Sequence, residues 1–572
     1  MVADYPWYKS YDTGVPHSLE PYPQVTFLDV IEEAAKKRPQ HPFLLFKGTE
    51  ISYADMVKLY GIFGAALAAN GVKKGDRIAI LLPNCPQGFI ASFGAWKAGA
   101  IPVPLNPMYT EHELEHSVKE CGAEVAIVLT PFYGMVKKLQ SKSKLRLIIA
   151  VNIKEYLPPM LALLFTLLKE KKEGHRIELE KGDVMMSDLM SKYASSATPS
   201  HKPEPKDTAL LLFSGGTTGV PKGVILTHKC LIAESWQLKV WNDRVLTEWD
   251  DRVMMIMPLF HVYGFAGIMG TSIMGHNPLV VVPNPRDRDD MVKTIQKTKP
   301  AYLPAVPTLF IALLEHPAVK AGKVDFRSMK LCVASAAPLL PETKKRFEDL
   351  TGGKLVEGYG MTEVTAAITL GPIEGTWKPG SAGLPLPDII MKIVDVETGL
   401  KDLPAKQEGE IVVKCPQMME GYWNRPDATA EMIIDGWLHT GDVGYLDEGG
   451  YLFITSRKKE LIKPGGFQVW PREVEEVISS HPKVSEVGVA GIPDPYQVEA
   501  VKAWVVLRQG ETATAEEIQA HCREKLTAYK VPKQIEFRTE LPKTLVGKIL
   551  KRVLVEEELA KQKAAAKPKT DA

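Results

Sequence analysis

An α/β fold with a large body and a smaller satellite is predicted by three features of the sequence. The chain has 572 residues and is 45% hydrophobic, whereas single cores stop growing near ~250–300 residues, so at least two are required. From residue 25 to about residue 206, helical stretches such as VTFLDVIEEAAKK alternate with short apolar strands such as RIAILLP, AGAIPVPLN and AEVAIVLT, a rhythm that gives largely parallel sheets. From Gly409 the pattern changes to short strands with glycine-rich turns (GEIVVK, GYLFIT), and beyond Arg457 helices and strands resume on a smaller scale.

These changes place a boundary at residues 457–459. The expected organisation is a large domain over 1–456, a hinge at 457–459, a small domain over 460–558 and a frayed Ala/Lys-rich tail over 559–572. A Ser/Pro/Lys-rich stretch, residues 191–207, reads as a connection before the next strand.

Lys plus Arg total 70 against 69 for Asp plus Glu. No overall field draws the protein to nucleic acid, and any bound anion must be held by local groups. The six cysteines (Cys85, Cys121, Cys230, Cys332, Cys415, Cys522) stand singly, which argues against structural zinc and for a reducing compartment. The N-terminus lacks the layout of a signal peptide, and no apolar run approaches the ~20 residues of a membrane span. A cytoplasmic protein is expected, and a homodimer stays open. One segment breaks the rhythm: residues 155–176, EYLPPMLALLFTLLKEKKEGHR, are densely apolar and then basic. Leu161, Leu164, Phe165 and Leu168 have the spacing of a helix packed on its domain, which is the expectation; peripheral contact with a membrane surface stays open.

The strand-like TALLLF is followed by SGGTTGVPKG, residues 214–223, and then by strand-like VILTH. Gly215, Gly216 and Gly219 allow close backbone approach, while Ser214, Thr217, Thr218 and Lys222 supply hydroxyls and a cation for phosphate oxygens. Pro221 stands where a Walker loop needs glycine, and the spacing is not G-x-G-x-x-G.

This loop resembles the signature of the adenylate-forming superfamily, which includes acyl-CoA synthetases, luciferases and adenylation domains. The resemblance recurs in order through MPLFHVYGF, ASAAPL, EGYGMTE, GYWNRPDAT, WLHTGDVGYLDEGGYLFITSRKKELIKPGGFQVWP and LPKTLVGKILKR. It implies a large domain of two mixed α/β sheet subdomains plus a β-rich subdomain, with a small mobile α+β C-terminal domain. It also implies ATP, Mg²⁺ and coenzyme A: a carboxylic acid is activated as its adenylate, then transferred to the thiol.

The roles implied by the resemblance are these. Tyr359 stacks on adenine beside Gly360, Thr362 contacts phosphate, and Glu363 holds Mg²⁺, for which carboxylate oxygen is the natural ligand. Ser335, Ala336 and Ala337 resemble the backbone ledge under adenine. Asp442 matches the aspartate on the ribose hydroxyls, Arg457 the arginine before the hinge, and Lys459 the hinge itself. Lys548 matches the lysine that bridges substrate carboxylate and α-phosphate, offsetting charge as pyrophosphate departs. Thr218, Lys222, Glu363 and His261 join it as catalytic candidates, although a histidine among apolar residues such as His261 is equally read as packed core. Lys463, Gly465 and Gly466 resemble the loop lining the coenzyme A channel.

The double glycine of SGGTTG, the RKKE at the hinge, GFQVWP and YLPPMLALLF look like long-chain fatty acyl-CoA synthetases. Gly264, Ala266, Gly267 and Gly270 could open an apolar tunnel for a medium-to-long chain, or could serve packing. An aryl-acid ligase of the 4-coumarate type, a carrier-loading enzyme and an inactive relative are the competing readings.

Overall fold

The structure, a computed structural model, describes residues 5–214, 221–464, 469–494, 496, 498–543 and 549–565. Two large sheets form the body. One has nine strands and the other five. In the nine-stranded sheet, Leu279–Val281, Val253–Met255, Tyr302–Ala305, Leu331–Ser335 and Lys354–Met361 lie parallel in that order, and Ala366–Leu370 returns antiparallel against Lys354–Met361. The five-stranded sheet is wholly parallel, running Ile101–Pro104, Arg77–Leu81, Val125–Leu129, Leu147–Val151 and Val184–Met185. Both faces of a parallel sheet must be covered, and strands such as VAIVL and LIIAV are accordingly buried at every position.

Covering helices begin where their sequences supply caps. Phe27–Lys37 starts at Thr26, whose hydroxyl takes the Asp29 amide while the Asp29 carboxylate takes the Thr26 amide, and it ends on Lys36 and Lys37. Its apolar face buries Phe27, Leu28, Ile31 and Ala34. The VILTH segment is strand only to Thr227: His228 opens helix His228–Asn242 because the Thr227 hydroxyl accepts from the Cys230 amide.

A β-rich unit of Ile390–Val394, Gly409–Lys414, Trp437–Leu446 and Leu452–Arg457 is antiparallel throughout. The C-terminal part has its own three-stranded sheet, Val484–Asp494, Val498–Leu507 and Gln534–Arg538, and its own apolar core around Val474, Val489, Val501 and Ile518. Its last helix, Lys551–Ala565, continues into the segment expected to fray. Buried Lys502 ties that helix to the sheet through Glu558 at 2.6 Å and Glu536 at 2.9 Å.

One expectation is corrected and one open alternative is decided. Helix Pro159–Leu168 does not pack its leucines onto the domain: it has no buried residue. Gly264 and Gly270 do not open a tunnel. A Cβ on Gly264 would stand 2.2 Å from the Pro258 carbonyl oxygen, and one on Gly270 would stand 2.8 Å from the Phe27 ring. Both glycines let the π-helical turn Tyr263–Gly270 lie against its neighbours. Because backbone cannot swing aside as a side chain does, Gly264→Ala is expected to cost about 1–3 kcal/mol, measured as a lowered denaturant midpoint.

Candidate active site

The phosphate-loop candidates sit on a hairpin. Thr208–Ser214 and Lys222–Thr227 are antiparallel, with Ser214 opposite Lys222. Gly215, Gly216, Thr217, Thr218 and Gly219 lie outside the described residues, as do Lys548, Gly465 and Gly466. A third strand, Gly421–Tyr422, pairs Tyr422 with Val224, which brings its ring beneath Lys222, whose Nζ is 4.8 Å from the ring centre. The Tyr422 hydroxyl donates to Glu363 Oε1 at 2.8 Å. Lys222, Tyr422 and Glu363 therefore meet, although 141 residues separate Lys222 from Glu363 (363 − 222).

Glu363 is 6% exposed. Burial pushes its carboxyl upward, against the Tyr422 hydrogen bond and the charge of Lys222. Among the described residues no group of three or more His, Cys, Asp or Glu could hold a metal by itself. One buried carboxylate beside the hairpin that carries Lys222 fits Mg²⁺, which takes few protein ligands and relies on phosphate oxygens and water for the rest.

The second cluster forms at the carboxyl end of the parallel strands, where Lys354–Met361 meets its antiparallel neighbour. The Tyr359 hydroxyl donates to Asp442 Oδ2 at 2.6 Å, and Arg457 Nε meets Asp442 Oδ1 at 2.9 Å. Asp442 and Arg457 are direct partners across Trp437–Leu446 and Leu452–Arg457. Burial, then the Asp442 charge, pushes the Tyr359 phenol well above its ordinary range, so it remains a donor. Ser335 is paired with Gly358, and Ala336 follows in the left-handed region at φ 71°, turning the backbone out of the sheet. Thr362 accepts the Thr365 amide through its carbonyl at 3.1 Å, closing the turn that carries Glu363.

That turn rests on residues the sequence did not single out. Thr365 and Ala366 have φ of 61° and 140°, and a Cβ on Gly360 would stand 1.5 Å from the Ala366 carbonyl oxygen, so the loop folds back onto Gly360. Fully buried Glu234 accepts the Ala367 amide at 2.7 Å, and the Thr365 hydroxyl donates to the Gln417 carbonyl at 2.6 Å. Burial raises Glu234 to about 8. Gln417 Nε2 reaches Glu234 Oε2 at 3.4 Å, while Gln417 Oε1 has no partner among the described residues. Gln417 Nε2 also donates to the Ala367 carbonyl at 3.3 Å, so Glu234 and Gln417 between them hold both backbone groups of Ala367.

His261 and Lys463 are not joined to either cluster by any interaction among the described residues. His261 opens the turn into Tyr263–Gly270, and its Nδ1 accepts the Tyr263 amide at 3.2 Å. Loss of water lowers it to about 4, so it presents a neutral ring with Nε2–H as its donor. The Tyr263 hydroxyl donates to the Val333 carbonyl at 3.2 Å, against the strand that ends at Ser335. Lys463 is exposed, and its amide donates to Glu499 at 2.7 Å.

Neither Tyr422 nor Glu234 declares itself in the sequence. Tyr422 stands in the quoted GYWNRPDAT but carries no role by residue type, and Glu234 is a lone acid on a helix that reads as solvated until burial is known.

With this geometry in place, comparison with known proteins assigns the family. The model for AMP-binding enzymes matches residues 31–423, and that for the AMP-binding enzyme C-terminal domain matches 473–548; the chain belongs to the AMP-binding enzyme family. It is 41% identical over 560 residues to a long-chain-fatty-acid–CoA ligase of Bacillus subtilis, covering 98% of this chain and 99% of that one. It is 36% identical over 558 residues to the Escherichia coli protein of the same description, with 96% and 98% covered. Among solved structures, ATP-bound MatB from Rhodopseudomonas palustris superposes with a TM-score of 0.79 at 28% identity, covering 93% of this chain and 99% of that one.

Glu234 generates a pH prediction. Folding raises its carboxyl from an ordinary value near ~4.3 to about 8. In that window the native state holds a proton that the unfolded chain has lost, so the contribution is full below the window and is lost as pH rises through it. Glu234→Gln keeps the acceptor for Ala367 and cannot ionise. Its melting temperature should fall less steeply than that of the wild type between about pH 5 and pH 8; parallel curves would show that Glu234 is not held neutral.

Proposed function

We propose that this enzyme activates a medium-to-long-chain fatty acid with ATP, releasing pyrophosphate, and then transfers the acyl group to coenzyme A to give acyl-CoA and AMP. The observation that carries the reading is the convergence of Lys222, Tyr422 and Glu363 with Tyr359, Asp442 and Arg457 at the ends of the parallel strands. The first group suits a magnesium-bound polyphosphate and the second a nucleoside. Full-length similarity to two long-chain-fatty-acid–CoA ligases supports the acid class.

In the first step the substrate carboxylate attacks the α-phosphorus and pyrophosphate leaves. Two anions must approach, so positioned cations dominate the barrier. Lys222 neutralises phosphate oxygens from the hairpin, and Lys548 bridges carboxylate and α-phosphate from the small domain. Mg²⁺ at Glu363 would supply further charge neutralisation. The Tyr359 ring stacks on adenine over the ledge of Ser335, Ala336 and Ala337, Thr362 contacts phosphate, and Asp442 takes the ribose hydroxyls with Arg457 beside it. His261 donates through Nε2 to the acyl carboxylate. In the second step the coenzyme A thiolate attacks the acyl carbonyl and AMP leaves, with Lys463, Gly465 and Gly466 lining the thiol's path after rotation at residues 457–459.

Pyrophosphate release across acids of two to eighteen carbons, with and without coenzyme A, tests the substrate class. Turnover should peak in the medium-to-long range with AMP as the nucleotide product; a preference for acetate or an aryl acid, or formation of ADP, overturns it. Lys548→Ala should abolish adenylate formation by at least ~100-fold and leave thioester formation from supplied acyl-adenylate largely intact. Equal loss of both half-reactions would remove Lys548 from the first.

A further inference from the structure

Helix Pro159–Leu168, PMLALLFTLL, contains no buried residue and no charge. Met160 is 76% exposed, Leu163 59%, Leu167 71% and Leu168 69%. At 100° per residue these four, with Leu161 and Leu164, cover an outer arc of about 160°. Single exposed leucines are ordinary on a protein surface; a continuous apolar face of this kind marks a contact site.

The helix is held rigidly against the body by its opposite side. The Phe165 ring meets the His175 ring edge-on at 5.1 Å, and His175 Nδ1 lies 2.8 Å from the Thr130 hydroxyl. Lys154 reaches the Thr166 hydroxyl at 3.3 Å and pairs with buried Glu170 at 2.5 Å, while Asn152 also donates to Glu170 at 3.1 Å. This polar clamp fixes the element beyond the carboxyl ends of strands Val125–Leu129 and Leu147–Val151, so the apolar face is displayed and not merely frayed.

The charge around it selects the occupant. Lys169, Lys171, Lys172 and Arg176 follow the helix and are exposed. Of the two acids among them, Glu170 is taken by Lys154 and Glu173 lies 3.5 Å from Lys169. Lys297 adds a further exposed cation near Gly48, whose added Cβ would also touch Pro158 at the start of the helix. An apolar arc bordered by cations complements a layer that is apolar inside and anionic at its surface. Ten residues are too few to cross a bilayer, and no described helix is long and apolar enough to do so.

We propose that Pro159–Leu168 is a docking helix that lies in the plane of an anionic bilayer, its leucines among the upper acyl chains and Lys169, Lys171, Lys172 and Arg176 at the headgroup phosphates. None of the residues of this face or of its clamp belongs to the ATP and acid site described above, so the proposal does not depend on how that site is read.

Sedimentation of the full-length protein with sonicated vesicles of phosphatidylcholine containing 30% phosphatidylglycerol, against vesicles of phosphatidylcholine alone, tests it. Wild type should partition onto the anionic vesicles. Leu163→Ser/Leu167→Ser/Leu168→Ser should weaken that partition by about a hundredfold, and Lys169→Gln/Lys171→Gln/Lys172→Gln should do so to a similar degree on anionic vesicles only. Because every altered side chain is exposed, both variants should keep the wild-type melting temperature and turn over octanoate in detergent-free buffer as the wild type does. Unchanged vesicle binding by the leucine variant overturns the proposal, as does failure of the wild type to bind either vesicle. A dimer that dissociates in the leucine variant, with no vesicle binding by either form, would assign the face to a second copy and overturn it equally.

Discussion

Asp442 accepts the Tyr359 hydroxyl on one oxygen and the Arg457 guanidinium on the other, and through it two sheets are locked together. Tyr359 belongs to the nine-stranded sheet, while Asp442 and Arg457 are cross-strand partners in the β-rich unit. Arg457 is also the last residue of its strand, and the single 3-10 turn Lys458–Glu460 follows directly. Lys458 pairs with buried Glu410 at 2.9 Å, and Glu460 pairs with Lys551 at 2.8 Å. The connection to the C-terminal part is thus a short run of ion pairs starting at the Asp442 carboxylate. A ligand hydroxyl that reaches Asp442 must share that carboxylate with Tyr359 and Arg457, so its binding bears on the chain that leads to the small domain.

The surroundings of the buried acids follow the same economy of charge. Glu234 and Glu357 lack a cation within ion-pair distance among the described residues, and burial raises them to about 8 and about 7. Both serve as acceptors for backbone amides, Glu234 for Ala367 and Glu357 for Leu339 at 3.0 Å. The amides they hold belong to the segments after Glu363 and Ala337. A carboxyl that is easily neutralised can shape a loop in an apolar interior without leaving an unpaired charge there. Lys551 shows the opposite case: burial would lower it, but Glu475 at 2.9 Å and Glu460 hold it charged.

Much of this was legible in residue order. Alternation of helices with apolar runs gave the parallel sheets, and the SGGTTGVPKG segment lies between the two strands expected of it as far as Ser214 and from Lys222 onward. Asp442 and Arg457 were assigned separately from their motifs; their register as direct partners needed the hairpin to be built. Three features were beyond the sequence for physical reasons. Whether Leu163 or Leu167 is buried depends on what covers the helix, because the same spacing suits either outcome. Whether Gly264 opens space or closes it depends on the Met257 and Pro258 carbonyls, which a one-dimensional pattern does not locate. Glu234 reads as a surface acid until helix His228–Asn242 is seen to be enclosed, with Gln237 and Trp241 also buried.

Helix Pro159–Leu168 and the connection after Arg457 differ in how they are anchored. The connection after Arg457 is one turn long and lies between two ion pairs, Lys458 with Glu410 and Glu460 with Lys551. Helix Pro159–Leu168 is clamped at Phe165, Thr166 and the following Glu170 to His175, Lys154 and Asn152, all of which precede the hairpin that begins at Thr208. A body held at a surface through that helix leaves the residues from 458 onward unconstrained by the contact. An acid of long chain partitions into a bilayer for the same reason that these leucines would, at ~0.8 kcal/mol per buried CH₂. An apolar helix carried on the large body would bring such an acid and the protein to the same lipid phase, with the contact borne by residues that precede the hairpin.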